Sequence, residues 1–474
     1  MRGQWNDNNK PEAPGYYSRM VQLAQETSRQ ISGVLAMPVK GNWGPINEVV
    51  EVKNLPDLKE KFGTDMNFTA YKLGRIALMG EPEKLLLIRL AGESAKTGKA
   101  FLNNTAEPQQ EVIWLETLYP SDRDFRISVS SNIVETSKKD ITLYEGTEVL
   151  GKIEGITGTL EEIVEEINKS AIGNYAKASL SEGASGELAD VSSIEFVGGD
   201  NGTDGVSNAS YLEAMNTFKA YEIDGFTLDG ISDPALIIST IAWAKECKKE
   251  GLDFLVFTAT NENTLTAANQ KSKAYNSPLI HNGFARKLVY DNVEYSIAEA
   301  MVYVAALALS KDLKGSICNE LTIFTDVQPR LTIPEVQSAL KAGTIVFTMD
   351  NKAGKVRIVD DVNTYKEFEK PEEEVLGCIR ANKFINTVNK VSYDKSVAEF
   401  IGQVSGDDTG HTIILSGYKN FFDEWKKQGI INGYTVGTDE EYQKNAKTEE
   451  YFWKWSAGYV NVTKRIYSTG NLIG

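Results

Sequence analysis

Residues Gly33–Val52, GVLAMPVKGNWGPINEVVEV, constrain the fold more than any other stretch of the chain. An apolar run, Gly33–Val39, breaks at a Gly-Asn-Trp-Gly-Pro turn, and a second strand, Asn47–Val52, follows. Gly and Pro at such density interrupt any helical pattern, so the region reads as strand, turn and strand. A helix opening at Pro56 comes next, with Pro at the first helical position. A second helix over about Phe68–Met79 and an apolar strand, Leu85–Leu90, complete a first compact αβ unit.

The pattern then changes twice. From Gly92 to about Asp190, short β-like runs (Val112–Leu118, Phe125–Ser130, Asp140–Tyr144, Thr147–Ile153) alternate with Gly, Asn and Ser-Asp turns. One helix, Thr159–Lys169, interrupts them behind a Thr159/Glu162 capping box, and the whole reads as a β-sandwich-like insertion. From Ser193 strands and helices alternate: strand Ile194–Val197, helix Ala209–Tyr221, helix Pro234–Lys249, strand Asp253–Thr258. The nearly all-apolar helix Ser296–Leu309 must be buried, and helix Pro334–Ala342 ends at Gly343 before a hairpin, Thr344–Met349 with Lys355–Val359. This alternation implies an open parallel sheet flanked by helices. The last unit, from about Asp361, carries helices Pro371–Val388 and Thr412–Lys427 and ends in long strands, Ile430–Thr438 and Tyr451–Tyr467. At the other end Tyr16–Leu23 also alternates as a strand. Both ends therefore read as lone strands projecting beyond compact domains, and a lone strand's unpaired backbone invites pairing with another chain.

A length of 474 residues suggests about three domains. The net charge of −16 argues against a nucleic-acid partner, which selects for basic surface. No apolar run reaches the roughly 20 residues a membrane span needs, and the start MRGQWNDNNK has no signal-peptide core, so the expected origin is cytosolic, without membrane insertion. Cys247, Cys318 and Cys378 are widely spaced and read as reduced core thiols.

Several motifs touch on chemistry without completing it. Gly92–Ala100 resembles a phosphate-binding loop, but five residues separate its glycines, Ala100 replaces the Mg²⁺-holding Ser/Thr, and no helix follows. Asp200–Gly205 resembles a calcium loop with Gly202 at a ligand position and Tyr211 where Glu belongs. Asp408-Thr409-Gly410 matches an aspartic-protease triplet and the Asp motif of subtilisins, yet occurs once and has no nucleophile turn to serve. Glu161, Glu162, Glu165 and Glu166 share a helix face without histidine partners, and His281 and His411 stand alone. No catalytic, metal or cofactor site is expected, and a non-enzymatic protein is.

Further segments point to a family. Ala13-Pro14-Gly15-Tyr16-Tyr17 with Gly33–Val52 resembles the start of contractile phage tail sheath proteins. Val197–Gly202 resembles that family's Gly-Gly-x-Asp-Gly turn, and Ala298–Leu309 with Gly315–Thr322 its apolar helix and following loop. Leu331–Asp361, running on through Val362-Asn363-Thr364, resembles a central block, and Phe400–Val404 the start of the carboxy-terminal unit. The layout is most similar to sheaths of Gram-positive-type myophages and defective-prophage particles.

The resemblance implies an α/β multidomain fold with extended terminal strands: an amino-terminal arm (1–28), an αβ unit (29–92), a β-sandwich domain (93–192), a subtilisin-like α/β domain without catalytic residues (193–361) and a carboxy-terminal αβ domain with an arm (362–474). It implies hexameric rings in a helical stack around a tail tube protein, partnered by a baseplate and a tail terminator. Assembly is expected in the host cytoplasm and the final location is the virion tail, where contraction drives the tube through the host envelope. The arms assigned by resemblance carry Tyr16, Tyr17, Met20, Val21 and Leu23 at one end and Tyr459, Val460, Val462, Ile466 and Tyr467 at the other. Alternatives are the sheath of a phage-tail-like bacteriocin or secretion system, a subtilisin-fold or P-loop hydrolase, and an adhesin built on the β-rich insertion.

Overall fold

A computed structural model describes residues 33–470, together with the backbone of Arg2–Gln4 and Tyr16–Ser18. Its centre is an eight-stranded sheet in the order Lys355–Ile358, Thr344–Asp350, Ile280–Phe284, Leu255–Thr258, Gly225–Thr227, Val34–Lys40, Lys84–Leu90, Val49–Val52. The inner strands run parallel and the strand at each edge antiparallel. The parallel strands are buried on both faces, which is why Val34–Lys40 and Lys84–Leu90 read as continuous apolar runs.

The sheet draws strands from both of the segments 29–92 and 193–361. Val34–Lys40 pairs with Gly225–Thr227, so the two segments share one sheet and the insertion is spliced between them. Strand Ile194–Val197 also moves. Residues Val191–Glu195 pair antiparallel with Phe125–Ser131 in the insertion, because Ile194 packs into that domain's core.

On one face of the sheet the helix Ile297–Ser310 packs against the helix Thr69–Met79. Ser296 and Glu299 close a reciprocal cap at its start, and every residue from Ile297 to Leu309 except Glu299 is buried. The approach is close because glycine allows it: a Cβ on Gly80 would sit 2.6 Å from Ala306 Cβ, and one on Gly225 would sit 2.5 Å from Leu309. The other face is covered by helices Asn208–Phe218 and Pro234–Lys249, the latter capped by Asp233 with Pro at its start.

The insertion folds as a three-stranded and a four-stranded antiparallel sheet around its own core, with the capped helix Leu160–Lys169 alongside. Its outgoing and returning segments run side by side: Lys96 bridges Asp200 and Lys99 bridges Val197. Two further ties hold it to the sheet. Trp43, from the Gly-Asn-Trp-Gly-Pro turn, is buried in the insertion's core, edge-on to Tyr119 at 5.1 Å and Phe125 at 5.4 Å. Arg89, fully buried on the strand next to the sheet's edge, donates to the carbonyls of Gly44 (2.7 Å), Pro120 (2.7 Å) and Asn201 (3.0 Å).

The carboxy-terminal unit packs helices Ile379–Lys395 and Asp408–Lys427 against a two-stranded hairpin, Ile431–Thr438 with Trp453–Tyr459. Phe384, Phe422 and Trp425 form its centre. The expected helix Pro371–Val388 is split. Pro371–Gly377 is a short 3₁₀ run, and Cys378 is extended because it bridges Val362, which resets the chain before the α-helix starts. The last strand is shorter than the expected Tyr451–Tyr467: pairing stops at Tyr459, opposite Ile431, where the partner strand begins.

Candidate functional site

The segments singled out for catalysis fold into ordinary structure. Gly92–Ala100 runs into a strand, Lys99–Asn103, and the Lys99 ammonium lies over the Trp114 ring at 5.0 Å. In the Asp200 loop the carboxylate accepts from Gly202 N and Asn201 Oδ1 from Thr203 N, which makes a turn. Tyr211 is buried and donates to Asp229. Asp408-Thr409-Gly410 is the first turn of a helix, where Asp407 accepts from Gly410 N. Glu162 closes the Thr159 cap and Glu165 pairs with Lys169. His281 is buried, stacked on Phe257, and burial pushes its pKa down to about 4. His411 stacks on Tyr451. The three cysteines are free, and burial pushes Cys247 up to about 11 and Cys318 to about 12. Among the described residues no group of His, Cys, Asp or Glu is arranged to hold a metal, and no helix is long and apolar enough to cross a membrane.

The polar cluster with the most chemical character lies just past the Gly225–Thr227 strand. Asp229 is buried there, which pushes its carboxyl up to about 6. It accepts from Tyr211 Oη at 2.7 Å and Thr69 Oγ1 at 2.5 Å. Neither histidine is bonded to it: His281 Nδ1 lies on Val256 O, and His411 stacks on Tyr451.

The other feature of note is the carboxy-terminal hairpin and the segment that follows it. Trp453, Trp455 and Tyr459 turn one face of the hairpin onto the helices, while Lys454, Ser456 and Gly458 face solvent. The hairpin is two strands wide, so among the described residues both its edges keep unpaired backbone groups. Past Tyr459 the chain continues without regular structure to residue 470. The root of this arm is fixed: the Arg380 guanidinium lies 4.8 Å from the Tyr459 ring centre, donates through Nη2 to Val460 O at 2.7 Å and through Nε to Leu313 O at 3.1 Å. Farther out, Lys464 Nζ donates to Asp360 and Asp361, just past the edge strand of the central sheet. Burial lowers the Lys464 pKa, but the two carboxylates outweigh it and the net shift is upward. Beyond this point Ile466 and Tyr467 are 88% and 87% exposed.

Of the residues assigned to the arms from sequence, Tyr459 and Val462 are half-buried and Val460, Ile466 and Tyr467 exposed. Tyr16 and Tyr17 lie on a short strand that pairs in parallel with Arg2–Gln4 of the same chain. Met20, Val21 and Leu23 lie outside the described residues. Arg380, Asp360, Asp361 and Lys464 escaped the sequence reading. The adjacent Asp360-Asp361 pair closing a strand is the one signal that was available.

Two family models match this chain: the phage tail sheath protein central domain over residues 204–364 and the phage tail sheath C-terminal domain over residues 373–473. The chain belongs to the phage tail sheath family. It is a structural protein of the contractile sheath type, and the hydrolase alternative has no support. The sheath protein is 21% identical to the uncharacterized protein YqbK of Bacillus subtilis (strain 168), over 83% of this chain and 80% of that one. Its fold is similar to the sheath tail protein of Desulfitobacterium hafniense (TM-score 0.68, 17% identity, 90% of this chain and 97% of that one). It is likewise similar to that of Listeria innocua (0.65, 20%, 90% and 95%). The helical sheath of the anti-feeding prophage in its contracted state also shares the fold (0.53, 8%, 98% and 99%).

Proposed function

We propose that this sheath protein assembles as hexameric rings, stacked helically around a tail tube, and that contraction of the stack drives the tube through the host envelope for genome delivery. The observation that carries the reading is the carboxy-terminal hairpin, two strands wide with both edges open, continuing into an exposed arm. Such an edge accepts a strand from another copy, and backbone pairing of that kind links subunits while leaving their bodies free to slide. The segments Tyr16–Leu23 and Gly458–Tyr467 supply the connecting strands. The central sheet, with its run of parallel strands, is read as a subtilisin-like frame without catalytic function. Its work is mechanical and no substrate is turned over. Assembly in the host cytoplasm, with a tube protein, a baseplate and a tail terminator as partners, precedes residence in the virion tail.

Contraction needs no nucleotide in this scheme. Each additional 200 Å² of apolar surface buried between subunits stabilises the contracted lattice by about 5 kcal/mol, and the stack sums that over its subunits. Electron microscopy of the purified chain over a concentration series, alone and co-expressed with a tail tube protein, tests the reading. Hollow helical tubes of stacked rings are expected; dispersed monomers under both conditions overturn it.

A further inference from the structure

We infer that Asp360 and Asp361 form a socket for Lys464 that is filled from within the free subunit and by the lysine of a neighbouring copy in the polymer. The inference rests on the polymerising sheath described above and concerns how its arm is stored and handed over.

The socket is built to hold a cation. The two carboxylates are adjacent in sequence, and their side chains are only 13% and 1% exposed. Two like charges so shielded from water require a partner. Asp361 Oδ2 also has no hydrogen-bond partner. Lys464 is the ammonium that pairs with both. Lys366, also nearby, spends its Nζ on the carbonyl of Gly377.

The arm is built to leave. Residues 460–470 form no strand, and Ile466 and Tyr467 bury almost none of their surface. The segment is held by Val460, through its N–H on Ile430 O and its carbonyl on Arg380, and by Lys464 in the socket. Its hold on its own subunit is local, made by these hydrogen bonds and by the half-buried Val462. Yet Lys464 cannot withdraw and leave the socket empty, because a buried charge stripped of its partner is strongly destabilising. An identical arm from the next copy resolves the conflict. Exchange of one Lys464 for another restores every contact, as in domain swapping, while the chain between them becomes an intersubunit link.

Zero-length carbodiimide coupling reads the exchange in the unmodified protein, since it joins an ammonium only to a carboxylate already paired with it. Equal amounts of ¹⁴N- and ¹⁵N-labelled subunits are mixed and coupled either free or after assembly on the tube, and the peptides are analysed by mass spectrometry. Free subunits are expected to give Lys464–Asp360 or Lys464–Asp361 products of one isotope only. Assembled sheath is expected to give about half mixed-isotope products, the share that random exchange between copies produces. Lys464→Gln removes the product and establishes its identity. Single-isotope products alone in assembled sheath overturn the inference while leaving the sheath reading intact. Failure of the wild-type mixture to form tubes overturns the sheath reading itself.

Discussion

Replacing Arg89 with methionine keeps most of the buried stem and removes the guanidinium that ties three parts of the chain together. The carbonyls of Gly44, Pro120 and Asn201 each lose a donor. A buried carbonyl left unsatisfied costs about 1–3 kcal/mol, so three cost about 6 kcal/mol at the middle of that range. The opposing term is the burial of charge, which pulls the Arg89 pKa from 12.5 down to about 10. At 1.36 kcal/mol per pKa unit that is about 3 kcal/mol, which methionine escapes. The expected net loss is therefore about 3 kcal/mol, concentrated where the insertion meets the central sheet. Hydrogen exchange resolved by peptide is the suitable assay. Protection should fall around residues 42–45, 119–122 and 198–203, with the core of the Ile297–Ser310 helix unchanged and cleavage by trace protease appearing at the linkers. Arg89→Lys should recover only part, since one ammonium cannot reach three carbonyls on separate segments. Unchanged exchange at all three sites in Arg89→Met would refute the reasoning.

Acid response offers a second test, because two buried groups oppose each other. His281 has a folded pKa of about 4 against an ordinary 6.5, so the unfolded chain binds its proton first and stability falls as pH drops from 6.5 towards 4. Asp229 is raised from 3.8 to about 6, so the folded chain binds its proton first and stability rises over pH 6 to 3.8. Asp229→Asn should therefore steepen the loss of stability between pH 6.5 and 4.5 in urea titrations, and His281→Phe should flatten it; equal slopes would count against both assignments. Gly80→Ala places a Cβ 2.6 Å from Ala306 Cβ and 2.7 Å from Leu307 N, and should lower stability by about 1–3 kcal/mol through overpacking. Val460→Pro removes the N–H that donates to Ile430 O at 3.2 Å. That change, Val462→Pro and deletion of residues 1–24 are each expected to abolish tube formation by electron microscopy while leaving circular dichroism unchanged.

Local signals were legible wherever the chain supplies its own boundary. The Thr159/Glu162 cap, Pro234 behind Asp233 and Gly343 at φ +77° fix helix ends through contacts within a few residues, and the sequence reading placed those ends within a residue or two. Pairings between distant segments left no such trace. Nothing near Val34–Lys40 announces that its neighbour is Gly225–Thr227, across the whole insertion. The break at Cys378 was hidden for the same reason: its cause is Val362, not a breaker residue in the helix itself. The last strand was overextended because alternation persists past Tyr459 while its partner does not. At the arm, the apolar residues were visible as pattern, whereas Lys464 looked like one of many surface lysines until the fold brought it to Asp360 and Asp361.

The insertion leaves and rejoins the central sheet through two segments that pair with each other, Lys96 with Asp200 and Lys99 with Val197, and Gly92 N donates to Gly202 O at 2.7 Å. A loop whose two ends are already stapled together adds almost no closure entropy to the body it hangs from, whatever its length. What limits the cargo is instead Trp43 and Arg89, whose partners Tyr119, Phe125 and Pro120 lie inside the insertion. A foreign domain grafted between Lys99 and Val197 would have to supply a pocket for the Trp43 ring and an acceptor for Arg89, and would then be displayed once per subunit.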